Sequence, residues 1–180
     1  IKDAESLELA QKVNAVILDK TGTITEGKPT VTAIQWHVDP VGDYQDILYS
    51  IEKSSEHPLA DAIVKVLEKD SHFVNELAIE NISGQGIQGI YGHETFTIGN
   101  QGLIDARNIA VSTAAQSWID VHLSNAETVV LFANEQMVLA TIAIADQIKA
   151  TSAQAIQQLH ENDIKVYMLT GDNVQTAQAV

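Results

Sequence analysis

The chain has no cysteine, which excludes a disulfide framework and a thiolate metal site, and leaves a reducing compartment permitted. It is also short of positive charge: 10 lysines and arginines stand against 24 acidic residues, a formal net charge of -14. Such a chain does not hold a phosphate backbone nonspecifically, so no nucleic acid partner is expected, and any nucleotide needs Mg²⁺ or a local cluster of lysines to approach. Long hydrophobic runs are missing as well. The longest fall far short of the roughly 20 residues of a membrane helix, so no direct membrane insertion is expected. The six histidines are scattered without a compact ligand spacing, and no transition-metal site is expected. Ile1 is not a methionine, no signal-peptide pattern follows it, and Val180 falls inside what reads as a young helix. The sequence therefore reads as an excised piece.

What is present is a globular composition, 45% hydrophobic over 180 residues, enough for one sizeable core or two small ones. The most informative stretch runs from Val13 to Thr23. A short apolar segment, Val13 to Leu18, ends abruptly in Asp19 and a small, flexible turn. It reads as a strand covered on both faces that delivers Asp19 to the carboxyl edge of an open α/β sheet, where such folds place their ligands. Gly22 permits a sharp turn in which successive N–H groups converge on an anion, while Lys20, Thr21 and Thr23 add a cation and hydroxyls. An acid inside a phosphate cradle is unfavourable unless it reacts with phosphorus or shares a metal ion with it, which points to an aspartyl phosphate.

The pentapeptide Asp19-Lys20-Thr21-Gly22-Thr23, with Ile24 to Pro29 after it, resembles the phosphorylation motif of the P-type ATPases, the ion pumps that form a phosphoenzyme in each cycle. Gly22 to Lys28 also opens like a P-loop, but Pro29 offers neither hydroxyl nor N–H, and that match fails mechanically.

Along the chain, Ile1 to Lys12 reads as a short amphipathic helix and Thr30 to Val38 as a strand, with a turn at Pro40 and Gly42. Tyr44 to Lys53 and Pro58 to Lys69 are helical in period, with Pro58 at the favoured first position. Leu77 to Asn81, Ile87 to Tyr91 and Glu94 to Ile98 are strands, the last two a hairpin through Gly92-His93. Ser112 to Leu123 reads as a helix, and Thr128 to Ala133 with Met137 to Ala145 as a hairpin around Asn134-Glu135. A helix from about Thr151 to Asn162 precedes the strand Ile164 to Leu169, which runs into Thr170-Gly171-Asp172-Asn173 and a further helix from Val174. The middle thus mixes helix pairs with hairpins, an antiparallel α+β unit, whereas the two ends show strand-to-helix crossovers.

Strands ending in Asp19, Asp146 and Thr170-Gly171-Asp172 are expected to meet at one sheet edge. Taken singly, Asp146 and Asp172 also fit as helix caps. Thr170-Gly171-Asp172-Asn173 again resembles the P-type ATPases. Ser54-Ser55-Glu56-His57-Pro58-Leu59 reads by itself as a helix start, yet Ser-Glu-His-Pro-Leu resembles the signature of the heavy-metal-transporting subgroup. Gly84-Gln85-Gly86-Ile87-Gln88-Gly89 satisfies G-x-G-x-x-G but leads into a strand rather than a helix, so a dinucleotide fingerprint fails its context. Its glycines either let a ligand approach the backbone or make a tight bend. The subgroup has a comparable Gly-x-Gly and a later Gly-Asn, as at Gly99-Asn100, although it often carries glycine where this chain has Gln88.

That resemblance implies a haloacid-dehalogenase-like, Rossmann-like phosphorylation domain, incomplete and built from residues 1–33 and 141–180. A nucleotide-binding domain with an antiparallel sheet, residues 34–140, is inserted between. It implies ATP and Mg²⁺ as cofactors. Asp19 is then the nucleophile and, with the Thr21 carbonyl, a Mg²⁺ ligand; Lys20 offsets charge, Thr23 and Thr170 hold phosphate oxygens, and Asp146, Gly171 and Asp172 organise the pocket. Adenine lies on Glu52, His57, Gly84, Gly86, Ile87 and Asn100. The implied whole is a metal pump, copper(I) first with zinc or cadmium behind it, in a bacterial plasma membrane. Its transmembrane and actuator domains are the partners of this cytoplasmic piece. Family members continue with a Gly-Asp-Gly-x-Asn-Asp segment and a lysine not found here, so slow or no turnover is expected of this polypeptide alone. A soluble phosphatase of the same superfamily is the alternative; such enzymes carry a second aspartate two residues after the nucleophile, where this chain has Thr21. A nucleotide-binding module without catalysis is a third reading.

Overall fold

A computed structural model of the chain describes residues 12–39 and 41–170. Two compact units emerge. The first takes residues from the two ends, up to Lys28 and from Asp146; the second is the continuous middle, Pro29–Ala145. The expected boundaries at 33/34 and 140/141 fall instead inside two paired strands, β2 (Thr30–Trp36) and β7 (Val138–Ala145). These strands hydrogen-bond from Thr30↔Ala145 to Trp36↔Ala140, so cutting them would leave unpaired backbone in both units.

The end unit is built on a parallel pair, β1 (Ala15–Asp19) and β8 (Lys165–Leu169), in register from Ala15↔Lys165 to Asp19↔Leu169. Helix α5 (Ser152–Glu161) precedes β8 and packs on it. The apolar run in β1 predicts cover on both faces, but among the described residues its burial alternates along the strand. Ile17, Tyr167 and Leu169 remain 69%, 54% and 62% exposed. A two-stranded sheet has one packed face here, so alternate side chains meet solvent. The expected helix at 1–12, the residues Gly171 to Asn173 and the helix from Val174 lie outside the described residues.

The middle unit has a six-stranded antiparallel sheet ordered β2-β7-β6-β5-β4-β3. Here β3 is Ala78–Ile82, β4 Gly86–Tyr91, β5 Glu94–Gly99 and β6 Thr128–Ala133. The hairpins expected at Gly92-His93 and Asn134-Glu135 both form. At the second, Asn134 Oδ1 accepts from the N–H groups of Gln136 and Met137, an Asx turn.

Helices cover both faces. Helices α1 (Gly42–Lys53) and α2 (Pro58–Leu67) bury Leu48, Ile51 and Ile63 against Phe96, Ile98 and Phe132. Phe96 and Phe132 stack with centroids 5.8 Å apart. The other face, carrying Val129 and Leu131, packs on Ile104 of α3 (Gln101–Ala106) and Ile119 of α4 (Thr113–Ser124). No side chain caps the start of α1. Its stability comes from the buried face, where each large aliphatic side chain contributes roughly 1.5–3 kcal/mol. Gly89 shows how tight that layer is: a Cβ there would stand 2.6 Å from the Ile51 side chain.

Candidate active site

In the end unit, β1 carries Asp19 to its carboxyl edge, and the register Asp19↔Leu169 puts Thr170 at the same edge of β8. Residues 20–25 then form a wide turn closed by the Thr25 N–H donating to the Lys20 carbonyl at 3.0 Å. Gly22, at φ 77°, supplies the left-handed residue this turn needs. Asp19, Thr21 and Thr23 are exposed, while Lys20 is only 6% exposed.

The organiser of the turn is Thr25, which sequence reasoning did not single out. Fully buried, it donates its hydroxyl hydrogen to Asp146 Oδ2 at 2.5 Å and accepts from the Gly22 N–H at 3.2 Å. Asp146 Oδ1 accepts from the Lys28 N–H at 3.1 Å. The expectation that Asp146 ends a strand beside β1 does not hold, because β7 before it belongs to the antiparallel sheet. Asp146 arrives by another route. Residues 146–149 run antiparallel to 24–28, with Glu26 N–H on the Gln147 carbonyl and Lys149 N–H on that of Ile24. Two further groups pin the turn: Lys149 Nζ donates to the Gly22 carbonyl at 2.6 Å, and Ser152 Oγ to that of Ile24 at 2.7 Å. Neither is legible beforehand, since both act through backbone carbonyls a whole domain away in sequence.

The donor set suits a hard cation. An exposed carboxylate and a loop carbonyl are oxygen ligands of the number Mg²⁺ takes from protein, the rest being water and substrate phosphate. Among the described residues no three His, Asp or Glu side chains converge on a metal position.

The middle unit gathers the other candidates around the ends of α1, α2, β4 and β5. His57 is itself the cap of α2: its Nδ1 accepts the Leu59 N–H at 3.2 Å. That hydrogen bond fixes the tautomer, leaving the hydrogen on Nε2 and directing a donor away from the helix. An open hollow of about 520 Å³ lies beside it, lined by Ser54 to Pro58 and Asn81. Asn81, not foreseen, is the partner of Ile87 in the β3–β4 ladder, so this hollow borders the glycine turn.

The turn is specific about its glycines. A Cβ at Gly86 would stand 2.1 Å from the Ile98 carbonyl oxygen, and one at Gly99 would meet the Gln85 oxygen at 2.5 Å. Gly84, at φ 71°, faces open space. Gly86 pairs with Gly99, and the Asn100 N–H donates to the Gln85 carbonyl at 3.2 Å, which brings Gly86 and Asn100 together. Asn100 caps α3, its Oδ1 accepting the Leu103 N–H at 3.0 Å. Ile87 is a core side chain. Glu52, in the last turn of α1, is 5% exposed, and burial pushes its carboxyl up to about 8. A second hollow, about 460 Å³, sits at the start of β8, the opposite end of that strand from Thr170, and brings none of these residues together.

Among the described residues no helix is long and apolar enough to cross a membrane. Residues 13–180 match the haloacid dehalogenase-like hydrolase family. The chain is 38% identical over 182 residues to a copper-exporting P-type ATPase of Staphylococcus saprophyticus, covering 99% of this chain and 22% of that protein. It is also 38% identical, over 186 residues, to a probable copper-importing P-type ATPase of Enterococcus hirae, covering 100% of this chain and 24% of that protein. Among solved structures, a zinc-transporting PIB-type ATPase superposes with a TM-score of 0.60 at 32% identity, over 99% of this chain and 29% of that one. The chain thus spans about a quarter of each of these three proteins. It belongs to the haloacid dehalogenase-like hydrolases, and these relatives, which match it along 99% or more of its length, are P-type ATPases.

Proposed function

We propose that this chain is the ATP-binding and phosphorylation region of a heavy-metal pump, most closely of the copper(I) type, working on the cytoplasmic face of its membrane. The observation that carries this reading is the edge shared by Asp19 and Thr170, with an exposed carboxylate entering a turn of backbone N–H groups and hydroxyls. The similarity to copper and zinc transporters supports the subgroup. Exporting and importing relatives match this chain at the same 38% identity.

In the reaction, a carboxylate oxygen of Asp19 attacks the γ-phosphorus of ATP, the bond to the ADP oxygen breaks, and ADP leaves an aspartyl phosphate behind. Water later cleaves that acyl phosphate and releases inorganic phosphate. Mg²⁺ on Asp19 and the Thr21 carbonyl would offset charge when bound. Thr23 and Thr170 hold phosphate oxygens, and Lys20, Gly171 and Asp172 complete the surroundings. Asp146 keeps the turn in shape through Thr25. In the inserted unit Glu52, His57, Gly84, Gly86 and Asn100 receive the adenine, with Ile87 behind them. The pump's transmembrane and actuator domains are the partners that convert phosphorylation into transport.

Thr21 favours this reading over a soluble phosphatase, because it places no acid where hydrolysis of the phosphoenzyme would need one. The test is phosphorylation of the intact parent protein with γ-labelled ATP. A hydroxylamine-sensitive label that Asp19→Asn abolishes is expected; a label that survives the substitution, or none at all, overturns the assignment.

A further inference from the structure

The hollow of about 520 Å³ beside His57 is lined by Ser54, Ser55, Glu56, His57, Pro58 and Asn81. Glu56 is its one acid, and among the described residues no lysine or arginine lines it. In a chain of net charge -14, a triphosphate brought there meets repulsion, whereas an uncharged flat ring does not. Two of the lining groups are already engaged. Ser54 Oγ donates to the Ser50 carbonyl at 3.0 Å, and Ser55 Oγ accepts the His57 N–H at 3.2 Å. What is left to meet the edge of such a ring is the Nε2–H of His57 and the side-chain amide of Asn81, which has no hydrogen-bond partner among the described residues. Asn81 also stands where the strand pattern calls for an apolar side chain. Ile79, two residues before it in β3, packs on the core under α1 and α2, and Ile87, its partner in β4, is a core residue. Alternation along the strand puts Asn81 on that same face. It is nonetheless exposed, because the residues from Ser54 to Pro58 border it as a hollow instead of filling the space.

On this geometry, and resting on the nucleotide reading above, we propose that this hollow takes the base end of the nucleotide and that Asn81 reads the base's edge. Its amide oxygen accepts from the N6 amino group of adenine, and its NH₂ donates to the ring nitrogen beside that group. An amide is suited to this edge because it presents one acceptor and one donor side by side. Turned over, the same amide fits O6 and N1–H of guanine, so the substitution that tells is a carboxylate of the same size. Aspartate has acceptors only. It faces the adenine ring nitrogen lone pair to lone pair, yet it matches guanine, whose N1–H and N2 amino group both donate.

The test is titration calorimetry of the 180-residue chain with ATP and with GTP, each with Mg²⁺, for wild type, Asn81→Asp and Asn81→Leu. Asn81 is exposed on the edge strand of its sheet, so both variants should unfold at the wild-type temperature, which thermal unfolding checks. Asn81→Leu keeps the bulk and loses both polar groups; its ATP affinity should fall about tenfold or more. In Asn81→Asp the ATP-to-GTP preference should fall by at least tenfold. Both nucleotides carry the same triphosphate, so the added charge cancels from that ratio. A merely structural role for Asn81 would leave the ratio where it was. If wild type binds ATP and Asn81→Asp keeps the wild-type preference, Asn81 does not touch the base, and the proposal fails while the nucleotide reading stands. If wild type binds neither nucleotide, both fail.

Discussion

Thr25 gives its hydroxyl hydrogen to Asp146, 121 residues away, and that bond holds the turn following Asp19. The same hydroxyl oxygen receives the Gly22 N–H, so one side chain ties the two chain segments of the end unit to the curve that would surround a phosphate.

Thr25→Val keeps the shape and removes the hydroxyl. It leaves the Gly22 N–H without its acceptor and Asp146, among the described residues, with only the Lys28 N–H. The expected cost is about 1–3 kcal/mol, confined to this unit. Amide hydrogen exchange checks it: protection at Gly22, Thr25 and Lys28 should drop by one to two orders of magnitude, with the β4–β5–β6 amides unchanged. Phosphorylation of Asp19 should fall while ATP affinity stays.

Glu52→Gln should stabilise the chain at neutral pH. The folded carboxyl holds its proton up to about 8, against an ordinary value of 4.5, so between these values the folded state carries a proton that the unfolded state has lost. Stability then falls as pH rises through that window, by about 1.4 kcal/mol per unit. The variant lacks this slope. Urea unfolding at pH 5 and 7.5 should show a gain that is small at the lower pH and on the order of 3 kcal/mol at the higher. Equal stabilities at both would mean that Glu52 ionises normally.

The glycines of the 84–89 turn should separate by what lies over them. Gly86→Ala drives a Cβ into the Ile98 backbone, which cannot yield without opening the β4–β5 ladder. Loss of ATP binding and a destabilisation of more than about 2 kcal/mol are expected. Gly84→Ala meets no atom and carries only the left-handed backbone strain, about 1 kcal/mol. Thermal unfolding with calorimetric ATP binding distinguishes the two.

His57 both caps α2 and offers Nε2–H, and the roles can be divided. His57→Asn retains an oxygen able to accept the Leu59 N–H, so stability should change by less than about 1 kcal/mol. It removes the ring, and ATP affinity should fall at least tenfold. A variant that binds ATP normally would reduce His57 to a helix cap.

Much of this was legible from residues alone. The hairpins at Gly92-His93 and Asn134-Glu135, and the α1–α2 pair, follow from turn chemistry and apolar spacing within a few residues, which is information the chain carries locally. Six-residue α3 was missed because one and a half turns leave no periodicity to read; only the capping Asn100 marks it. The strand at 15–19 was foreseen, but the cover expected on both its faces is not seen among the described residues, because an apolar run does not say how many neighbours a strand will have.

The sequence by itself determined the turn after Asp19, since Lys-Thr-Gly-Thr supplies its own left-handed residue at Gly22. What only the tertiary structure decided is which distant groups hold that turn and which acid is buried. Thr25 meets Asp146, Lys149 reaches the Gly22 carbonyl, and Glu52 is buried in the last turn of α1 because packing brings those atoms together. A hydrogen bond or a desolvation penalty depends on distance and on excluded water, and neither is written in the order of residues.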